Sequence, residues 1–353
     1  MDWTTLVLWI SLWAIVATAA AFLLFMTWAI FAYGKHIDHV LQRKPLLIAE
    51  TQPHREGGEA VEFASANGRR LSASYFHHSA ARRRGVIAFC HEFGGDRWLF
   101  ESYAGPLLAE GFDVFAFDFC NHGKSDSVLG YDPTQWVTRF EVEDVIAAVD
   151  YLSSLRDADA QGIVLFGVSK GGGAALAAAA ERRQIWSVVI DGAYPNHGMV
   201  IEYMKKWVGI YSKYQAVYTR LPHWFFKLMC EWGLFWMARR QRVQFVRLER
   251  SVRALGPRPV FMIRGARDNY VTPTIIRRWF ARGDADNKEF WDVPGAKHNL
   301  CVNVAEDEYH RRVVTFLEKH APVPQPDAKL DWGPAEKRAP VPERGRPQPS
   351  QTA

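Results

Sequence analysis

Between Glu59 and Lys319 the chain repeats one rhythm: a short apolar run, a turn, then a longer stretch with helical spacing. The runs are "GVIAFCHE", "FDVFAFDF", "GIVLFGV", "WSVVIDGA", "PVFMIRG" and "EFWDV". Each is short, and apolar at consecutive rather than alternate positions, as in strands covered on both faces. Predicted helices fall between them: Trp98 to Glu110, Val137 to Leu152, the alanines from Ala174 to Ala180, a segment from about Pro273, and a last one reaching Lys319. In the second of these, Val142, Val145, Ile146, Val149 and Leu152 recur with helical period. Strands alternating with helices imply right-handed crossovers, so the predicted class is α/β with a mostly parallel central sheet and helices on both faces. "EAVEFAS" and "RRLSASYFHH", separated by Asn67 and Gly68, predict an opening hairpin. No internal repeat is evident.

One junction carries more than structure. In "VLFGVSKGGGAALAAAA" a buried strand meets excellent helix-forming material through Ser169, Lys170 and three glycines. A serine on such a strand-to-helix turn is held in a strained, exposed position. Gly167 and Gly171 let the backbone approach closely, because neither carries a Cβ. This is the G-x-S-x-G pattern of a nucleophile elbow, where a helix N-terminus favours developing negative charge. In parallel sheets ligands bind beyond the carboxyl ends of the strands, and reactive groups recur there. "HEFGGDRW" follows one strand, "CNHGKSD" the next, and Ser169 the third. "ARDNYVTP" with Asp268 and "GAKHNL" with His298 follow two later ones.

A serine hydroxyl is a poor nucleophile at neutral pH, so an imidazole must take its proton and later return it to the leaving group. A carboxylate then fixes the imidazole tautomer. The order serine, aspartate, histidine is the one that sheets of this kind use. Asp191, which closes the strand in "VVIDGAY", is an alternative acid to Asp268.

From Glu59 to Lys319 the chain resembles the α/β-hydrolase superfamily, most closely the lysophospholipase and serine-aminopeptidase-like branch, which includes membrane-anchored lipid and acyl-thioester hydrolases. "HEFGGDRW", "FDFCNHGKSD", "GVSKGG", "RGARDNYVTP" and "GAKHN" carry the resemblance. It implies Ser169 as nucleophile, Asp268 as orienting acid and His298 as general base. The oxyanion needs two donors, for which the backbone amides of Phe93 and Lys170 are the candidates. Relatives usually have glycine where this chain has Glu92, which puts the turn leading to Phe93 in question. His91 and His122 are expected to shape their loops, and Cys90 and Cys120 to pack.

Outside this core the sequence changes character. No charge occurs over the 32 residues from Trp3 to Gly34. About 20 apolar residues cross the hydrocarbon of a bilayer, so 1–34 is read as a transmembrane anchor, with Trp3, Trp9, Trp28 and Tyr33 near the two interfaces. A cleaved signal peptide would show a basic start and a shorter apolar core. Lys35, Arg43 and Lys44 follow the span, which places the catalytic bulk on the cytoplasmic side. Residues 35–58 read as a linker, 59–320 as the hydrolase domain, and 321–353, with eight prolines, as a disordered tail.

An insertion at 194–255 breaks the rhythm and is expected to form a helical lid. From Tyr194 to Phe245 it is rich in tryptophan, tyrosine and phenylalanine, with eight lysines and arginines against two glutamates. Such a segment suits an anionic membrane surface or an apolar acyl pocket; a soluble cap with inward aromatics is the other reading. No Cys or His spacing resembles a zinc site, no cofactor motif appears, and no nucleic-acid motif accompanies the modest net charge of +5. The expected function is a serine hydrolase acting on carboxylic esters, lipid-like or long-chain acyl. A thioesterase or peptidase of the same fold, or a non-catalytic membrane-bound module, are the alternatives.

Overall fold

The computed structural model describes residues 2–42, 53–155, 162–211, 220–283 and 287–322. Part of the expected linker, Tyr214 and Tyr218 of the insertion, and nearly all of the proline-rich tail lie outside them. The described chain forms two compact units. The larger comprises 46–196 and 243–353; the smaller comprises 1–45 and 197–242.

The larger unit is built on eight strands: β1 (Glu59–Ala64), β2 (Arg70–Phe76), β3 (Gly85–Cys90), β4 (Phe112–Phe117), β5 (Ile163–Val168), β6 (Ile185–Asp191), β7 (Val260–Gly265) and β8 (Lys288–Val293). Their order in the sheet is β1-β2-β4-β3-β5-β6-β7-β8. β1 pairs antiparallel with β2, as the Asn67-Gly68 turn predicts, and β2 antiparallel with β4; every later pairing is parallel. β3, β4, β5 and β7 are buried at every position, which explains their mainly apolar runs; the charged exceptions, Asp113 in β4 and Arg264 in β7, pair with Arg83 and Asp292. Phe89, Phe115 and Phe166 lie fully inside, each contributing about 1.5–3 kcal/mol relative to exposure. Cys90, Cys120, Cys230 and Cys301 are buried free thiols.

Apart from the N-terminal helix α1 (Trp3–Gln42), the longer helices in chain order are α2 (Arg139–Ser154), α3 (Lys170–Glu181), α4 (Asn196–Tyr211), α5 (His223–Gln241), α6 (Leu248–Ala254), α7 (Pro273–Phe280) and α8 (Glu306–His320). α2 starts with a capping box in which Thr138 and Glu141 satisfy each other's backbone donors. The helix expected from Trp98 to Glu110 is instead three short turns, Arg97–Leu99, Phe100–Tyr103 and Gly105–Leu108. Pro106 lacks an N–H, and together with Gly105 it interrupts the ladder there.

The smaller unit brings α1 together with α4 and α5. α1 is 40 residues long, and its most apolar stretch is wholly exposed, so by length and composition it is a candidate membrane span or signal sequence. Phe22 meets Trp224, and Phe25 meets Phe225, with ring centroids 5.7 and 5.9 Å apart. A Cβ on Gly34 would lie 2.8 Å from the Trp232 ring, and one on Gly233 2.7 Å from Ile37. A glycine in each helix therefore permits the close approach.

Candidate active site

The turn between β5 and α3 is built around one strained residue. Ser169 has φ +50° and ψ −114°, a conformation that L-residues avoid. Its N–H donates to the Asp191 carbonyl at 2.7 Å, and its own carbonyl accepts from Gly173 N–H at 3.1 Å. No other residue fits beside it. A Cβ on Gly171 would lie 2.2 Å from the Cys90 carbonyl oxygen, and one on Gly167 2.5 Å from the Gly172 Cα.

Three distant loops meet here. The Ser169 hydroxyl lies 3.2 Å from His298 Nε2, and His298 Nδ1 lies 2.7 Å from Asp268 Oδ2. All three residues are buried; the turn strains Ser169 as expected but does not expose it. The Asp268 carboxylate accepts at its other oxygen from the N–H groups of Tyr270 and Val271, at 2.8 and 2.9 Å. The carboxylate accepts a hydrogen bond from Nδ1–H, so Nε2 is left as the acceptor facing the serine. The rings of Tyr270 and Tyr194 flank His298 at 5.0 and 6.2 Å. A Cβ on Gly192 would lie 3.2 Å from His298 Cε1, so the end of β6 also closes on the imidazole.

Asp191 sits elsewhere in the same core. Its Oδ2 accepts from the Tyr309 hydroxyl at 3.1 Å, and Oδ1 has no hydrogen-bond partner. Burial pushes its carboxyl up to about 7. The structure places Asp268 on the imidazole and leaves Asp191 inside the core, bonded to Tyr309.

The loop after β3 is fixed by buried hydrogen bonds. His91 Nε2 accepts from Phe119 N–H at 3.1 Å, so its Nδ1–H donates to the Glu92 carbonyl at 2.7 Å. His122 Nδ1 bonds the Cys120 carbonyl. Burial lowers His91 to about 4 and His122 to about 3, so both rings stay neutral at physiological pH. Asp118 accepts from Arg97 N–H at 2.8 Å and from its guanidinium at 3.1 Å, tying "HEFGGDRW" to "FDFCNHGKSD". Glu92 is not in a left-handed conformation; that turn falls on Gly94, φ +78°. A glycine is therefore not required at position 92, whose carboxylate accepts from the Asn299 side-chain amide beside His298.

One buried network was not apparent in the sequence. Lys170 Nζ lies 2.8 Å from Glu141 Oε1 and 3.2 Å from the Tyr131 hydroxyl, and 5.9 Å from the Phe93 ring centroid. Tyr131 also donates to Glu141. Burial opposes ionisation of Glu141, but the Lys170 ammonium, with Tyr131 and Thr138, outweighs it and holds the carboxyl below its usual range. These residues stand 29 and 39 positions from Lys170, so no local pattern announces them. Among the described residues no group of His, Cys, Asp and Glu is arranged to hold a metal ion.

The comparisons with known proteins agree with this architecture. Residues 85–228 match the family model described as alpha/beta hydrolase fold. The chain has the α/β-hydrolase fold. An esterase from Pyrococcus furiosus superposes with a TM-score of 0.57 at 21% identity, covering 79% of this chain and 99% of that one. The quorum-quenching protein AidA of Acinetobacter baumannii is 30% identical over 131 residues, 36% of this chain and 41% of its own length. An uncharacterised Mycobacterium tuberculosis protein is 26% identical over 249 residues, 69% of this chain and 73% of that one. The chain spans about two fifths of the length of the first curated relatives it matches.

Proposed function

We propose that this α/β-hydrolase-fold protein is a serine hydrolase that cleaves carboxylic esters, lipid-like or long-chain acyl, through an acyl-enzyme. The observation that carries the reading is the hydrogen-bonded series Ser169, His298, Asp268, with distances of 3.2 and 2.7 Å at the carboxyl ends of three strands. In the first half-reaction His298 Nε2 takes the Ser169 proton as the oxygen attacks the ester carbonyl. Asp268 stabilises the imidazolium, and the backbone N–H groups of Lys170 and Phe93 receive the oxyanion. The imidazolium then protonates the departing alcohol. Water, deprotonated by the same nitrogen, releases the acid and regenerates Ser169.

The Pyrococcus neighbour is an esterase, which is consistent with this chemistry. The charge-free run of α1 supports anchoring to a membrane, and the following Lys35 favours a cytoplasmic catalytic unit. The test is labelling by a fluorophosphonate probe together with hydrolysis of p-nitrophenyl esters of increasing chain length. Wild-type protein is expected to do both and Ser169→Ala neither. Identical behaviour of the two would overturn the reading.

A further inference from the structure

The exposed apolar residues of α5 are not scattered. Trp224, Leu228 and Phe235 fall within about 40° of arc at 100° per residue, and are 46%, 43% and 54% exposed; Trp236, about 80° further round the helix, is 49% exposed. Monomer surfaces seldom gather large apolar side chains in this way. The helix they stand on is packed along α1, and the order of contacts shows that the two run parallel. Phe22 meets Trp224, Gly34 meets Trp232, and Asp38 pairs with Arg240.

The pairing aligns two changes of character. In α1 the charge-free run ends at Gly34, and Lys35, His36, Asp38 and His39 follow. In α5 the aromatic half beginning at Trp224 gives way to Arg239 and Arg240 at the same level. Lys227 and Glu231 are the exceptions. A lysine stem of this length reaches past an apolar layer to water, and Glu231 lies 3.8 Å from His197.

Length accounts for the arrangement. α1 is about 60 Å long at 1.5 Å per residue, twice the hydrocarbon thickness of about 30 Å, so part of it must stand outside that layer. The charge-free run ends at Gly34, so the boundary on this side falls there, about 18 Å beyond Phe22, and α5 runs alongside α1 through that interval, from Phe22 against Trp224 to Gly34 against Trp232.

We propose that α5 is a membrane-interface helix. Its face of Trp224, Leu228, Phe235 and Trp236 sits among the headgroups and upper acyl chains of an anionic bilayer, alongside the second half of α1. Charge selects the partner: residues 194–245 hold eight lysines and arginines against two glutamates, which anionic headgroups complement. The proposal rests on the reading of α1 as a membrane anchor.

The test uses the full chain with a single cysteine introduced at Leu228 or Phe235 and labelled with the fluorophore NBD; the four native thiols are buried. Leu8 in α1 and Leu129, which is 99% exposed in the larger unit, provide reference positions. The variants are placed in vesicles of phosphatidylcholine, with or without phosphatidylglycerol, and quenched by doxyl-labelled lipid. Circular dichroism confirms that each is folded. Quenching at 228 and 235 is expected to exceed that at 129 by at least about twofold and to rise with phosphatidylglycerol. Quenching at 8 but not at 228 or 235 would overturn the proposal while leaving the anchor intact. Absence of quenching at 8 would remove the anchor and the proposal with it. Shielding of 228 and 235 without lipid quenching, together with cross-linking to a second copy, would make this face a dimer interface instead. Equal quenching with and without phosphatidylglycerol would overturn the preference for anionic lipid.

Discussion

The Lys170 ammonium and the Glu141 carboxylate meet at 2.8 Å with both side chains excluded from water, one residue beyond Ser169. The pair joins the first turn of α3 to the first turn of α2 and sets the start of the helix whose N-terminus faces the reacting centre. Removing one partner of a buried pair strands the other charge, at a typical cost of about 3–5 kcal/mol. Lys170→Met is therefore expected to lower the denaturant midpoint strongly, and the double variant with Glu141→Gln to lower it by less than the sum. A thermodynamic cycle over the two sites checks this; strict additivity would mean that the pair is not coupled.

Ser169 holds a backbone conformation suited to glycine. Ser169→Gly should abolish fluorophosphonate labelling yet raise stability, by about 1–3 kcal/mol of relieved strain less the added chain entropy of glycine. Denaturation of Ser169→Gly beside Ser169→Ala separates the loss of the hydroxyl from the release of φ. Equal stability of the two would show that the turn stores no strain.

The two candidate acids make different predictions. Asp268→Asn should lower kcat by about 10⁴, because the imidazole then adopts the wrong tautomer. Asp191→Asn should leave the ester rate near wild type, since its carboxyl bonds Tyr309. The reverse pattern in p-nitrophenyl ester hydrolysis would reassign the acid.

Asp191 also predicts a pH dependence of stability. Burial raises its carboxyl from 3.8 to about 7. Between those values the folded chain keeps a proton that the unfolded chain releases, so this group makes stability fall as pH rises from about 4 to 7 and then level off. Asp191→Asn should remove that fall. Denaturant midpoints of both proteins across this range provide the measurement, and parallel curves would contradict it.

Gly171→Ala would place a Cβ 2.2 Å from the Cys90 carbonyl and 2.3 Å from the His91 carbonyl. Backbone cannot yield as a side-chain tip can, so a loss of at least about 1–3 kcal/mol is expected. The same shift would displace the loop bearing Phe93. Ester turnover should therefore fall further than the melting temperature alone accounts for.

Much of this was legible in the linear chain because its causes are local. Buried parallel strands require unbroken apolar runs, so "GVIAFC" and "IVLFGV" mark themselves. A glycine-flanked serine at a strand-to-helix junction carries its own geometric signature, and loops that follow strands gather at one edge of the sheet. Where reading was less complete, a local rule met an opposing one. Trp98 to Glu110 has apolar content enough for a helix, but Gly105 and Pro106 divide it. Glu92 stood out against the glycine of relatives, although the left-handed turn belongs to Gly94.

By itself the sequence determined the alternation of strand and helix, the anchor-length apolar run, and the residue types able to perform acyl transfer, because each depends on neighbours within a few positions. Tertiary structure alone decided that Asp191 lies against Tyr309 rather than His298, why Lys170 is buried beside Glu141, and that α5 runs along α1. Those outcomes depend on pairs far apart in the chain, whose distances are set by how the sheet and helices pack rather than by any spacing along it.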